Sequence, residues 1–308
     1  MNNKVLLLVL VALLAVYGVY ELASGNESRT FDPEITKFEK GAVTELRFRS
    51  KADSLGPFAL KKEGERWTVS RGDHSLPASN DAVDEVLNNL LALRAAYIAA
   101  KSSDKWPEYE LTEEQATSVQ AFAGGKKVAD VRIGKFSANP QTQQLKFFVR
   151  TGEGDNVYAV EGMAGILLNK SFDDFRDKSA LDFDLHNVDE LIYGGESQYT
   201  VSKTANGWKL DGTEDLDSTR VQNFLMNLHR MSGDEFADGF ESKASQLSPF
   251  RTLTIRGAGL PEDIVVKCWQ DTTREKPFVI QTSQFPESYF ASDTLRLYKR
   301  IFKPVSEW

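Results

Sequence analysis

The chain has 308 residues, 27% charged and 41% hydrophobic, a globular composition that excludes wholesale disorder. Its formal net charge of -8 argues against nucleic acid, which needs clustered Lys and Arg, and against lying flat on anionic lipid. Cys268 is the lone cysteine, so no intramolecular disulfide forms, a usage that suits a bacterial envelope protein better than a large eukaryotic secreted domain.

Residues 5–22 read VLLLVLVALLAVYGVYEL, preceded by Lys4 and free of charge until Glu21. Roughly 17–25 apolar residues span a bilayer, so a transmembrane anchor is expected over residues 1–25. Lys4 and the amino terminus favour a cytoplasmic start, which makes this a single-pass protein of the bacterial inner membrane with its C-terminal region in the periplasm. A cleaved signal peptide is the competing reading, with Ala23 and Gly25 as small residues before a cut at Asn26. Against it, Tyr20 and Glu21 stand where small neutral residues are usual. No cysteine follows the run, which excludes a lipoprotein, and residues 24–28 supply only a short tether.

The remainder reads as a duplication. In a first module, residues 31–182, a strand opens at Val43 to Leu46, and a second leads through Gly64 to Trp67 and Val69. A turn with Pro77 and a polar start at Ser79, Asn80 and Asp81 precede a helix. In a second module, residues 183–308, a strand opens at Val188 to Leu191, and Tyr199 leads through Asn206 and Gly207 to Trp208 and Leu210. Asp217 and Ser218 then start a helix. Val83, Val86, Leu87, Leu90 and Leu91 form one apolar helical stripe, and Val221, Phe224, Leu225 and Leu228 repeat it at a constant offset. Asn80 or Asp81, and Asp217 or Ser218, are the expected caps. Later strands also correspond: Val128 to Ile133, Phe147 to Val149 and Val157 to Val160 against Ile264 to Trp269, Phe278 to Ile280 and Tyr289-Phe290. Short helical stretches ending at Leu168 and Ile301 close each half. The expected fold class is α+β: after the transmembrane helix, two duplicated modules, each a mostly antiparallel sheet covered by one main helix.

No chemistry announces itself. His74, His186 and His229 lie far apart, with no pair at ligand spacing. Asp173, Asp174, Arg176, Asp177 and Lys178, with Asp182 and Asp184 beyond, make a dense charged cluster. Paired carboxylates can divide acid and base roles. The flanking Phe172, Phe175, Leu181 and Phe183 point instead to a helical turn and linker pinned by aromatics, with ion pairs on the wet side. There is no Gly-x-Ser-x-Gly elbow, and Cys268 sits in an alternating strand as a core residue. Gly124-Gly125 before Lys126-Lys127 lacks the Gly-Lys-Ser/Thr ending of a phosphate loop and reads as a hairpin turn. Trp67 and Trp208 hold equivalent repeat positions, as core packing requires. No catalytic, cofactor-binding or metal-binding residue is expected.

Several segments resemble a known family. Tyr109-Glu110-Leu111 with the polar run to Gln115 resembles its Tyr-Gly-Leu signature, and Val131 to Lys135 its strand into an Ile-Gly-Lys turn. Val157-Tyr158-Ala159-Val160 followed by FDDFRDKSAL (residues 172–181) resembles its Val-Tyr-x-Val and Phe-Arg-Asp-Lys segment. With Trp67 and the helix after it, the chain resembles the domain of unknown function 4340 across residues 60–240. Glu110 departs from the pattern, since the family commonly has glycine there, which bears on the local turn geometry. The resemblance implies a membrane-anchored component on the far side of the inner membrane, accompanying ABC-type transporters of the kind linked to gliding motility. It supplies no catalytic residues.

The leading expectation is therefore a non-enzymatic auxiliary subunit of an ABC-type transporter, contacting permease and ATPase subunits by protein–protein interaction and the bilayer through its anchor. The alternatives are a periplasmic ligand-binding module using the cleft between the two repeats, and an envelope polymer hydrolase with Asp173, Asp174 or Asp182 as acid or base.

Overall fold

The computed structural model describes residues 32–138, 144–196 and 198–308. The expected anchor over residues 1–25 and its tether lie outside the described residues. Among the described residues, no helix is long and apolar enough to cross a membrane. The chain divides into two compact units that meet in sequence between Asp177 and Lys178.

The first unit is built on nine strands: β1 (Glu45–Arg49), β2 (Phe58–Glu63), β3 (Arg66–Arg71), β4 (His74–Ala78), β5 (Ala95–Ala100), β6 (Thr117–Ala123), β7 (Lys126–Ala138), β8 (Leu145–Thr151) and β9 (Val157–Glu161). They pair antiparallel in the order β4-β3-β2-β1-β6-β7-β8-β9-β5. Helix α1 (Asn80–Leu91) lies between β4 and β5 in sequence, and α2 (Ala164–Leu167) and α3 (Phe172–Phe175) follow β9.

The second unit opens with β10 (Ser179–Asp182), followed by β11 (Glu190–Gly195), β12 (Tyr199–Thr204), β13 (Gly207–Leu210) and β14 (Glu214–Leu216). Then come α4 (Ser218–Leu228), β15 (Arg230–Ser232), β16 (Glu235–Phe236), α5 (Glu241–Ala244), β17 (Arg251–Arg256), β18 (Ile264–Gln270), β19 (Phe278–Thr282), β20 (Phe290–Ser292) and α6 (Leu297–Ile301). Its large sheet runs β14-β13-β12-β11-β17-β18-β19-β20-β16, which is the first sheet's order strand for strand. Beside it, β10 pairs with β15 just after the helix, where in the first unit Glu34 bridges Arg94. The two units are thus similar modules, mostly antiparallel sheet with few helices.

Burial explains why these residues fold this way. Strands β1, β2 and β3 turn Leu46, Leu60 and Val69 to one face, and β7 and β8 add Val131, Ile133, Phe147 and Val149. The alternation of the pleat sends their neighbours to the other side. Helix α1 lays Val83, Val86, Leu87 and Leu90 on that apolar face. Each such side chain contributes about 1.5–3 kcal/mol of transfer free energy when fully buried. In the second unit α4 does the same with Val221, Leu225 and Leu228 over Leu191, Val201, Leu210, Val266 and Ile280. Trp67 and Trp208 are both buried in these cores.

Three details differ from the sequence reading. The cap of α1 is Ser79, whose hydroxyl accepts from the Ala82 amide at 3.3 Å. Asn80 instead accepts from the Trp67 amide at 3.3 Å and donates to the Glu65 carbonyl at 3.1 Å, tying the helix start to the β2–β3 hairpin. The turn expected around Pro77 is strand β4; Pro is tolerated there because β4 is an edge strand. Strand β5 had no signal of its own, since its sequence AAYIAA carries no alternation. At α4 the expected Asp217 is the cap, accepting from the Thr219 amide at 2.8 Å.

Candidate interaction site on the outer face of the first unit

Strand β7 places Val131 and Ile133 in the main core, so Asp130, Arg132 and Gly134 face the opposite side of the sheet. On β8 the same alternation sends Phe148 and Arg150 outward. Arg132 and Arg150 are direct cross-strand partners, a like-charge pairing that is destabilising unless an acid intervenes. Glu113 is that acid. One carboxylate oxygen accepts from the Arg150 guanidinium at 2.6 Å, and the other from Arg132 Nε at 3.2 Å. Arg132 also donates to Asp130, which further accepts from Gln120 at 3.1 Å and Lys127 at 2.5 Å. Only 9% of Arg132 and 4% of Arg150 is exposed, so these are desolvated charges satisfied by neighbours.

Burial acts to raise the Glu113 carboxyl, but the hydrogen bond from Arg150 and the charge of Arg132 win and hold it below its ordinary value. Asp130 follows the same balance: burial raises it, and Lys127 and Arg132 bring it down further.

The arginines also hold the loop that carries Glu113. Arg150 Nε donates to the Leu111 carbonyl at 2.9 Å, and its guanidinium lies 3.8 Å from the centre of the Trp106 ring. Leu111, Phe148, Val157 and Ala159 form a small second core under Trp106 and Tyr109. Gly134 must be glycine here. A Cβ would sit 2.1 Å from the Tyr109 carbonyl oxygen and 2.9 Å from the Leu111 side chain. The Lys135 amine lies 5.2 Å from the centre of the Tyr109 ring. Glu110, between Tyr109 and Leu111, takes the left-handed conformation with φ of 56°, which accounts for a glycine being suited to that position.

Three stretches distant in sequence, residues 109–115, 131–135 and 157–160, therefore converge on one locus. A family model for Domain of unknown function (DUF4340) matches residues 67–250. The chain belongs to this family. The stretches Tyr109 to Leu111, Ile133 to Lys135 and Val157 to Val160 are one packing motif: the first is the turn laid on the glycine of the second, over the apolar outer residues of the third. Comparison with curated proteins and with solved structures gave no match.

The fourth family stretch does separate work. Phe172 and Phe175 of α3 enter the main core, with Phe175 packed 5.0 Å from Phe48, ring centre to ring centre. Asp174 accepts from the Ser171 amide and hydroxyl in a capping box, and Asp173 from the buried Arg176 at 3.1 Å. The Asp177 amide donates to the Pro77 carbonyl, closing this segment on β4. Asp182 belongs to the second unit, 3.6 Å from Arg230, and Asp184 caps the turn Leu185–Asn187.

The remaining candidates are placed as follows. Gly124 and Gly125 form the two-residue β6–β7 hairpin loop, both with positive φ. His74 starts edge strand β4, His186 lies in the turn Leu185–Asn187, and His229 follows α4 with Nδ1 2.7 Å from the Met226 carbonyl. Among the described residues, no group of three or more His, Cys, Asp or Glu is placed to hold a metal ion. Burial pushes the Cys268 thiol up to about 12, against a smaller opposing pull from Arg251, its cross-strand neighbour. A cleft of about 250 Å³ opens in the first unit, lined by Thr36, Lys37, Lys127, Asp130, Thr151 and Glu153 among others. It lies below the roughly 300–1,000 Å³ and the apolar lining usual for small-molecule sites. The Arg132–Glu113–Arg150 cluster was missed in the sequence, because an arginine in a strand reads as a solvated residue until the loop covering it is known.

Proposed function

We propose that this protein is a non-enzymatic auxiliary component of an ABC-type transporter in the bacterial inner membrane, acting by protein–protein contact. Residues 1–25 tether it as a single-pass anchor, and the two modules stand in the periplasm. The supporting observation is the outer face of the first unit. There these stretches build an aromatic and charged surface of Trp106, Tyr109, Glu113 and Lys135, in which Arg150 holds Trp106 and Glu113 and Lys135 lies over the Tyr109 ring. Aromatic side chains and arginines anchored by packing are the usual currency of protein interfaces. The partner proposed, a permease with its ATPase, is what the resemblance of these stretches implies.

The test is affinity purification of the full-length protein from gently solubilised membranes, with mass spectrometry of what accompanies it. An ATPase and a permease are expected in stoichiometric yield. Recovery of a free monomer only would overturn the reading.

A further inference from the structure

The two units serve as controls for each other, because strand register fixes which of their residues are equivalent. Leu46 and Phe48 of β1 and Phe58 and Leu60 of β2 enter the main core. Arg47, Arg49 and Lys61 therefore stand on the outer face, and all three are exposed. The matching positions of β11 and β12 hold Ile192, Gly194 and Ser202. One strand order thus builds the same face with or without these cations, so folding does not require them. Like charges gathered on one face cost stability.

Arg49, Ser118, Arg132 and Arg150 lie in one row across β1, β6, β7 and β8, with Arg47, Gln120 and Asp130 in the next. Arg132 and Arg150 are occupied by Glu113 and Asp130. The outer cations are not. Arg47 donates through Nε to Glu45 at 2.6 Å and lies 4.4 Å from the centre of the Phe122 ring. Its two terminal nitrogens have no acceptor among the described residues. Arg49 donates to the Glu113 backbone carbonyl at 3.2 Å, and among the described residues neither it nor Lys61 has a carboxylate within ion-pair distance. Glu63, the remaining acid of β2, stands opposite Arg66. Arg47, Arg49, Lys61, Lys127, Arg132 and Arg150 are thus set against Glu45, Asp130 and Glu113, on a chain whose net charge is -8. The exposed Glu114 of the covering loop reduces that excess without cancelling it.

We propose that the outer face of β1 and β2 binds a short acidic segment of a partner protein, whose Asp and Glu carboxylates meet Arg47, Arg49 and Lys61. The Phe122 ring holds the Arg47 guanidinium flat and leaves its terminal nitrogens to take a carboxylate in a two-pronged pair. Ala59, Ser70 and Ser118 between the cations are small, so a chain can lie close to the sheet. A short segment is favoured over a membrane or a nucleic acid by the charge of the whole chain. Screening limits attraction to about 8–10 Å, and an extended polyanion would run beyond these rows onto an acidic surface. The face is continuous with the Glu113 loop through Arg49. This deepens the reading of the protein as an interaction module, naming the partner's chemistry, and rests on it.

The experiment treats native membranes holding the full-length protein with a zero-length carbodiimide, which joins an amine to a carboxylate in contact with it, and maps the Lys61 adducts by mass spectrometry. The expected adduct joins Lys61 to an Asp or Glu within an acidic segment of a different protein. Arg47→Ser combined with Arg49→Ser is expected to cut its yield roughly tenfold, while Arg47→Lys with Arg49→Lys retains it and Lys267→Ser on β18 leaves it unchanged. Melting curves verify that the variants fold, and Arg49→Ser alone is expected to cut the yield about threefold. The proposal is overturned by a Lys61 yield no greater than that at Lys267, or by a yield indifferent to loss of the arginines. Adducts with a second copy only, or with a phospholipid headgroup in place of a protein, overturn it equally. If transporter subunits copurify while Lys61 gives no adduct, the acidic-segment site fails alone. If Lys61 gives the adduct and no transporter subunit copurifies, the site stands and the proposed function fails; if neither is seen, both fail.

Discussion

The two units share one strand order and one helix placement, yet they cover the outer faces of their sheets by different means. In the strand register, the cross-strand pair Arg132–Arg150 of the first unit corresponds to Lys267–Gln281 in the second. Where the first has Gly134 under the backbone of the Tyr109 turn, the second has Trp269, packed with Phe240 and Tyr289. The inner face repeats because it must fit a pleat on one side and a helix stripe on the other. The outer face needs only to exclude water, and a pinned loop or a set of aromatic rings will do. Divergence is therefore concentrated where the fold tolerates it.

The largest expected effect tests whether the inner faces are as equivalent as they look. Leu90→Ala and Leu228→Ala remove fully buried side chains at matching positions of α1 and α4. Each should cost about 2–5 kcal/mol in denaturant unfolding, and hydrogen exchange should locate the loss in the mutated unit's own strands. A loss below about 1 kcal/mol at either site would mean that its helix does not cover the inner face of its sheet.

Next comes the contrast between outer faces. Arg150→Ala removes the cation beside Trp106 and leaves the Leu111 carbonyl without its donor, an expected loss of about 2–3 kcal/mol. Gln281→Ala, its counterpart, should cost less than about 1 kcal/mol. Equal losses would show that the arginine pair is no more structural than the glutamine.

Titration should separate the units in part. Asp53, Glu113 and Asp130 of the first unit have folded carboxyls below their ordinary values, so they stabilise the fold above pH ~4 and that stabilisation fades as pH falls through the folded values. Asp271 of the second unit behaves likewise, held down by the Lys243 hydrogen bond. On the alkaline side the sign reverses. Burial raises Tyr193 and pushes Tyr199 and Cys268, all of the second unit, up to about 12. Their contribution is complete below their unfolded values, at roughly pH 8.5–10, and is lost as pH rises through the folded ones. Exchange measured at pH ~10.5 should therefore show the second unit opening first. Opening of the first unit ahead of it would refute the assignment.

The smallest effect concerns two left-handed residues. Glu110, with φ of 56°, stands where glycine is better suited, and its carboxylate meets Lys51 in a part-exposed ion pair. Glu110→Gly should raise stability by about 0.5 kcal/mol, the relief of the left-handed conformation exceeding a weak surface pair. Asp211, with φ of 47°, accepts from the Thr200 amide at 2.8 Å through its own side chain. Asp211→Gly should lower stability, and the opposite signs can be read from paired melting curves.

Much of the fold was legible because its signals are periodic. The stripes of α1 and α4 and the alternation of Val128 to Ile133 follow from side-chain spacing alone, and the matching turns exposed the duplication. Strands β4, β5 and β16 were not legible. Pro77 reads as a turn until a neighbour accepts an edge strand, alanines carry no alternation, and a two-residue strand has no period. The candidate site was legible only as words in a signature. That Gly134 lies beneath Tyr109, and that Glu113 separates two opposed arginines, depends on ladder register and on a loop crossing the sheet, which local sequence does not encode.

The claim that matters most is that the outer face of the first unit, rather than its counterpart in the second, carries the partner contact. Purification from solubilised membranes with Lys135→Glu on the first unit and Lys267→Glu on the second tests it directly. The first variant is expected to lose the ATPase and permease by roughly tenfold and the second to retain them, with melting curves verifying that both are folded. Equal retention or equal loss would contradict it.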